Sequence, residues 1–298
     1  MKFIPLLFIA SLFACSPSHS QNQIALNPAP ISIVKNASYD QVQPYYMIDF
    51  SAAFCLFEIR VNDVLVFTLN LEGQTATMIP INAGILQSGK QQVSIKLLPL
   101  AGQKVLNPSA GFKYDIKEFD AKNNLNFKSQ LPGEYAVAKV DPAKKQTVLT
   151  QTAVFNAQVP YTIKAHQTGK DLKSVTGLKD KLNSAYQQLA GLIAKGNTAQ
   201  LKKMIANRES VAATTMYLTK EESDDRMAGL ISNLKSGFKL VPIPANAVVK
   251  IFADGKMATL VRPSGESALM LKDVKNNEEL TLDFSFYIPE GKTELEII

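Results

Sequence analysis

The histidines and cysteines of this chain are too few to build the common catalytic or metal sites. The 298 residues include two histidines, His19 and His166, and two cysteines, Cys15 and Cys55. Two-histidine metal motifs need paired ligands, and a Ser-His-Asp triad needs a histidine held by a second group. The sequence also contains no Gly-x-Ser-x-Gly elbow, phosphate-binding glycine loop or dinucleotide fingerprint. We therefore predict no catalytic, cofactor-binding or metal-binding residue, and we interpret His166 as a solvated residue in a polar linker.

Carboxylates could still carry acid–base chemistry without histidine. The densest cluster comprises Glu221, Glu222, Asp224 and Asp225. It lies in the first turns of a predicted helix that begins after Thr219, where negative charge favours the helix dipole. We interpret this cluster as structural. The paired carboxylates of a glycosidase cannot be recognised by spacing alone, so a carboxylate-based periplasmic hydrolase stays an alternative.

Three tyrosines are candidates for ligand contact. Tyr39, Tyr45 and Tyr46 cluster near the start of the first predicted domain, and the chain has no tryptophan. Successive side chains of a strand point to opposite faces, so Tyr45 and Tyr46 should differ in exposure if they lie in a strand. The alternative role for these rings is packing against the edge of a β-sandwich.

The residues before Cys15 are typical of an exported protein. Residues 3–14 form an uncharged apolar stretch, which is shorter than the roughly 20 residues needed to span a bilayer. Such a stretch matches the apolar region of a secretory signal. Leu12-Phe13-Ala14-Cys15 resembles the lipobox of bacterial lipoproteins, which implies a signal peptide over residues 1–14 and lipidation of Cys15. The alternative is ordinary cleavage after Ser20, which yields a soluble periplasmic or secreted protein.

Composition restricts the partners of the protein. Residues 15–30 are rich in Ser, Asn, Gln and Pro, which predicts a flexible tether. The formal net charge of +6 is spread thinly, whereas nucleic-acid proteins cluster their positive charge. We therefore expect no nucleic-acid partner, a membrane contact through the lipid anchor, and a protein or glycan partner in the cell envelope. Cys55 lies in an apolar run and is predicted to be buried.

Residues 31–165 are predicted to form a β-sandwich. Phe57, Ile59 and Val61 alternate with polar residues, Asn62-Asp63 is typical of a hairpin turn, and alternation resumes at Val64. The segments 57–66 and 81–95 resemble galactose-binding-type jelly rolls, in which a strand ending in a Val-Asn-Gly turn precedes an alternating segment with a central glycine. That resemblance implies a jelly-roll scaffold and no particular ligand.

The rest of the chain is predicted to be an α+β domain. Residues 166–177 are polar and predict a linker. Residues 178–298 combine about three helices with an antiparallel sheet, and the helices are indicated by apolar steps of three or four, by Asn197 as a cap and by Thr219 with Glu222 as a capping box. The predicted class is therefore mainly β with α+β.

These observations favour an exported, lipid-anchored protein that is not an enzyme and works in binding or envelope assembly. Two other classes stay open, a carboxylate-based periplasmic hydrolase and a periplasmic immunity or inhibitor protein. A hydrolase should show convergent carboxylates with perturbed pKa values in a cleft. An inhibitor should show one strongly charged face that complements its target.

Overall fold

The computed structural model describes residues 24–35, 42–164 and 167–298. Strands make up most of the regular structure in the first half of the chain. They are β1 (Ile33–Lys35), β2 (Pro44–Val61), β3 (Val64–Pro80), β4 (Gly89–Leu98), β5 (Gly111–Asp120), β6 (Asn126–Gln130), β7 (Tyr135–Ala136), β8 (Leu149–Ala157) and β9 (Tyr161–Ile163).

Strand β2 organises the first half because it pairs with three other strands. Strand β3 runs antiparallel along one side of it, while β5 pairs with its first part and β4 with its second part on the other side. Phe54, with a φ of 48°, lies between these two parts, where the register with β3 shifts. This irregularity bends the strand and lets the sheet curl around an apolar core. This sheet has the strand order β6-β5-β2-β4-β8, with β3 and β7 attached to β2 and β5, while β1 pairs with β9 in a separate sheet.

The second half combines helices with short strands. The helices are α1 (Leu178–Ala194), α2 (Thr198–Met204), α3 (Ala206–Thr215) and α4 (Lys220–Lys235). The strands are β10 (Lys239–Val241), β11 (Val248–Phe252), β12 (Met257–Val261), β13 (Met270–Asp273), β14 (Glu278–Thr281), β15 (Phe286–Tyr287) and β16 (Glu296–Ile297).

Helix α1 anchors the core of the second half. Leu182, Tyr186 and Leu189 are buried against the strands, as their spacing on one helix face predicts. The Tyr186 hydroxyl lies 2.8 Å from Thr259 Oγ1, so this buried polar group is satisfied. The predicted helix starts are confirmed: Asn197 accepts a hydrogen bond from the Gln200 N–H, and Thr219 forms a capping box with Glu222.

The predicted β-rich α+β class is confirmed, and the structure adds detail to it. Helix α3 was not expected from the sequence, because its segment lacks a continuous apolar stripe. The described strands of the second half form two antiparallel sheets, ordered β10-β13-β14 and β11-β12-β15-β16, where one sheet was predicted.

The last part of the predicted tether packs against the second half of the protein. Ile24 is 1% exposed and forms a parallel bridge with Leu295. The Asn207 side chain donates to the Ala29 carbonyl at 3.0 Å and accepts from the Ile31 N–H at 3.3 Å. These contacts hold residues 24–31, whereas residues 15–23 and Cys15 lie outside the described part.

Candidate functional site

A pocket of about 480 Å³ lies where the two halves of the protein meet. Four parts of the chain supply its walls: the β2–β3 turn, the segment that leads into β4, the β11–β12 turn, and Gln167, which follows β9. Loop ends brought together by a rigid scaffold are common positions for ligand sites. This makes the pocket, hereafter the junction pocket, the first candidate for function.

The β2–β3 turn is held in shape by its own side chains. Asn62 and Asp63 have φ angles of 50° and 60°, the left-handed pair that a tight hairpin turn requires. Asn62 Nδ2 donates to the Gly84 carbonyl at 2.9 Å and to Gln91 Oε1 at 2.6 Å, while its Oδ1 accepts from the Gln92 N–H at 3.0 Å. Asn62 therefore ties the turn to the segment around Gln91.

The segment before β4 is equally fixed. Ser88 Oγ donates to the Val159 carbonyl at 3.0 Å and lies 2.9 Å from the Val159 nitrogen. Gln91 Nε2 donates to the carbonyls of Gln87 and Gly89 at 3.0 and 2.9 Å. Since these groups already have partners, they form a rigid rim and are not free to bind a ligand.

The β11–β12 turn closes the pocket from the second half. The Asp63 carbonyl accepts from the Ala253 N–H, and Asp63 Oδ2 accepts from the Asp254 N–H, both at 2.9 Å. Gly255 has a φ of 87°, and a Cβ there would lie 2.6 Å from Asp171 Oδ1. Only glycine fits this position without a shift. The residues on either side of it, Asp254 and Lys256, line the pocket.

The side chains left over for a ligand carry an excess of positive charge. Lys90 and Lys256 line the pocket together with the carboxylate of Asp254 and the amides of Gln87 and Gln167. Within the described residues, neither lysine forms an ion pair. Two ammonium groups therefore share the pocket with one carboxylate. Such a set can neutralise an anion and hydrogen-bond to hydroxyl groups.

A second cavity is the groove between β3 and the second half, with a volume of about 330 Å³. It is mainly apolar and contains two carboxylates, Glu266 and Asp283. Burial raises the pKa of the Asp283 carboxyl, and the charge of Arg208 partly offsets that rise. Asp283 as a whole residue is nevertheless exposed at the surface.

Two of the three tyrosines predicted to contact a ligand, Tyr45 and Tyr46, are buried. Tyr45 and Tyr46 are 7% and 2% exposed, so they offer no ring face to a ligand. The Tyr46 hydroxyl lies 2.9 Å from the Gln158 nitrogen, and burial raises its pKa to about 12. The burial of Tyr45 and Tyr46 favours the packing alternative for these two rings. Tyr39 and His166 lie outside the described residues.

Cys55 and the acidic cluster at the start of α4 have structural roles. Cys55 is fully buried, and burial raises its thiol pKa to about 11, so the thiol stays protonated and unreactive at neutral pH. Glu222 accepts from the Thr219 N–H at 2.7 Å. Asp224 pairs with Lys220 at 2.5 Å, on the exposed surface of α4. This acidic cluster therefore supports a helix start.

Lys90 and Lys256 were not among the predicted site residues. Each follows a pair of residues typical of a turn, Ser88-Gly89 or Asp254-Gly255. A single exposed lysine beside a turn carries no functional signal. Lys90 and Lys256 become a candidate site only because the fold brings their two turns to the same pocket.

The described residues offer neither a metal site nor a membrane-spanning helix. The described residues contain no group of three or more His, Cys, Asp or Glu side chains arranged to hold a metal ion. In the same part of the chain, every helix is too short or too polar to cross a membrane. Comparisons with protein-family models, with curated proteins and with solved structures found no match for this chain.

Proposed function

We propose that this protein is an exported, lipid-anchored, non-catalytic binding protein of the bacterial envelope that takes a small polar ligand in the junction pocket. One observation carries the proposal. The polar groups of the rim are hydrogen-bonded, while the side chains of Gln87, Lys90 and Lys256, which line the pocket, have no hydrogen-bond or ion-pair partner among the described residues. Rigid walls with a few free polar groups are the usual design of a binding site.

The available groups favour binding over acid–base catalysis. Amides and ammonium groups hold polar ligands, and Asp254 is the one carboxylate in the pocket lining. Hydrolysis by carboxylates uses two such groups on opposite sides of the scissile bond. A glycan or a small envelope metabolite fits the pocket volume, which lies within the roughly 300–1,000 Å³ range of ligand sites.

A pocket-blocking variant tests the proposed site. The Gln87 side chain is exposed, so Gln87→Trp should fill the pocket without disturbing the core. Glucose, glucuronate and glucose 6-phosphate serve as probes in calorimetry, and the variant should lose the binding that the wild type shows. Gln103→Trp, at an exposed loop position away from the pocket, is the matched control and should bind normally. Equal binding by the wild type and Gln87→Trp, or no binding of any probe at millimolar concentration, would contradict the proposal.

The anchor is tested separately. Cys15→Ala should move the protein from the membrane fraction to the soluble fraction, because the acyl chains contribute roughly 0.8 kcal/mol per buried methylene. If the wild type is already soluble after cell lysis, cleavage after Ser20 replaces lipidation. The binding part of the proposal does not depend on this result.

The groove with Asp283 favours a second candidate function, a carboxylate-based hydrolase. Asp283, whose carboxyl has a raised pKa, and Glu266 line the same groove, and general acid catalysis uses a carboxyl of raised pKa together with a second carboxylate. If the purified protein hydrolyses an aryl glycoside, Asp283→Asn should reduce the rate by at least about 100-fold. An unchanged rate in this variant would remove the groove as the catalytic site.

A further inference from the structure

We infer that the ligand of the junction pocket is a small hydroxylated anion, bearing a carboxylate or a phosphate, that bridges Lys90 of the first half and Lys256 of the second. This inference rests on the proposed binding function and adds the chemical class of the ligand. It depends on the placement and charge of five side chains that line the pocket: Gln87, Lys90, Gln167, Asp254 and Lys256.

The two lysines that line the pocket come from different halves of the protein. Lys90 is the second residue of β4 and lies opposite Asn156 of β8, so the sheet of the first half fixes its backbone. Lys256 follows the strained residues Ala253 and Asp254, whose φ angles are both 52°. The contacts of Asp63 with this turn fix the position of Lys256 relative to the first half. A ligand that meets both ammonium groups must therefore bind between the two halves.

The two lysines of the pocket outnumber its one carboxylate, and neither lysine forms an ion pair among the described residues. Two half-buried lysines elsewhere in the protein do pair with carboxylates, Lys250 with Glu58 and Lys117 with Asp49. Asp254 lines the same pocket as Lys90 and Lys256 but forms no ion pair with either of them. Lys256 is itself half-buried, and an ammonium group that is partly removed from water gains from a bound anion.

The neutral groups indicate hydroxyls on the same ligand. The amides of Gln87 and Gln167 can donate and accept hydrogen bonds, and the Asp254 carboxylate can accept from a hydroxyl. Inorganic phosphate alone would leave most of a 480 Å³ pocket unfilled. An acidic monosaccharide or a sugar phosphate satisfies the charge, the hydroxyl partners and the volume together.

The test compares three ligands that share one ring. Wild-type protein is titrated by calorimetry with glucose, glucuronate and glucose 6-phosphate at low and at physiological salt. We expect at least one of the two anions to bind tenfold or more tightly than glucose. We also expect this preference to weaken with salt, because exposed ammonium groups are screened. The anion that binds with the higher affinity shows whether the charged group of the ligand is a carboxylate or a phosphate.

Charge-removing variants locate the effect. The double variant Lys90→Gln, Lys256→Gln should lose the tenfold preference for the anion and keep any binding of glucose. Lys104→Gln, at an exposed position outside the pocket, is the control and should keep the preference. Equal affinities for glucose and both anions would overturn this inference and leave the binding function standing. An anion preference that survives in the double variant would also overturn this inference. If the wild type binds none of the three probes, the binding function itself is overturned.

Discussion

At the scale of single residues, Glu58 is the clearest case of a charge that the fold has to compensate. It is 2% exposed, and its carboxylate meets Lys250 of the second half and Arg60 at 2.9 Å. Burial alone would raise the pKa of the Glu58 carboxyl, but the two cations outweigh burial and lower it. Arg60 also bonds to Asp63 at 2.8 Å, so the network reaches the turn at the junction pocket.

Removing the lysine of this network should destabilise the protein. In Lys250→Met, Glu58 keeps Arg60 but loses one charged partner, and the free energy of unfolding should fall by about 2–3 kcal/mol. Chemical denaturation measures this value. Lys272→Met breaks an exposed pair with Glu279 and should cost at most about 1 kcal/mol. A cost for Lys250→Met no larger than that of this control would show that the buried network adds little.

The lowered pKa of Glu58 predicts a pH dependence. A carboxyl whose folded pKa lies below its ordinary value stabilises the fold above that ordinary value, and the contribution is lost as the pH falls through the folded pKa. The stability difference between wild type and Glu58→Gln should therefore be largest near neutral pH and shrink below about pH 4.5. Denaturation at several pH values provides the measurement. A difference that stays constant from about pH 7 to about pH 3 would contradict this assignment.

At the scale of elements, the loops around β11 and β12 are shaped to fit the sheet of the first half. Gly265 lies in the loop after β12 and has a φ of 89°. A Cβ at this position would lie 2.7 Å from the Leu56 Cδ1 atom. The absence of a side chain therefore lets the loop approach β2 closely.

Alanine at position 265 should test this close approach. Gly265→Ala should cost about 1 kcal/mol for the left-handed backbone and a further 1–3 kcal/mol or so for the clash with Leu56. Gly291→Ala is a matched control, because Gly291 has a φ of 77° and open space around its Cα. The free energies of unfolding of the two variants should differ by the cost of the clash. Equal values would mean that the loop can shift away from Leu56 freely.

At the scale of the whole molecule, the two halves are joined by a shared apolar cluster. Val64 of the first half packs in one buried cluster with Phe252, Met257 and Tyr287 of the second. The Tyr217 hydroxyl also donates to the Pro44 carbonyl at 2.8 Å. Packing therefore connects the two predicted domains through a common apolar cluster.

The described part of the predicted linker is docked on the second half. The Lys170 N–H donates to the Ile288 carbonyl at 2.9 Å, and the Leu172 N–H donates to the Gly255 carbonyl at 2.8 Å. Leu172 is buried in the core of the second half. We therefore expect trypsin to cut at Lys170 or Lys173 only after the protein unfolds, and we expect one unfolding transition.

Limited proteolysis followed by mass spectrometry measures the order of cleavage. The exposed loop with Lys144 and Lys145 is an internal positive control, which should be cut in the folded protein. Early cleavage at Lys170 or Lys173 that leaves two resistant fragments would support independent domains and contradict this prediction.

Features that depend on neighbouring residues could be predicted from the sequence. The turn at Asn62-Asp63, the alternation around it and the capping box of Thr219 and Glu222 are local, because each needs only residues a few positions apart. Helix α3 was missed because its buried residues, Asn207, Glu209 and Thr215, are polar. Tertiary packing stabilises that helix where periodicity gives no signal.

The junction pocket and the Glu58 network were decided by the tertiary structure. Period-two alternation in β2 places Glu58 on the face opposite Ile59, but it cannot show that Lys250 covers that face. In the same way, the turn signals beside Lys90 and Lys256 show where the chain reverses and not which turns meet. The partners in these contacts lie more than a hundred residues apart in the sequence, so only the packing of one half on the other brings them together.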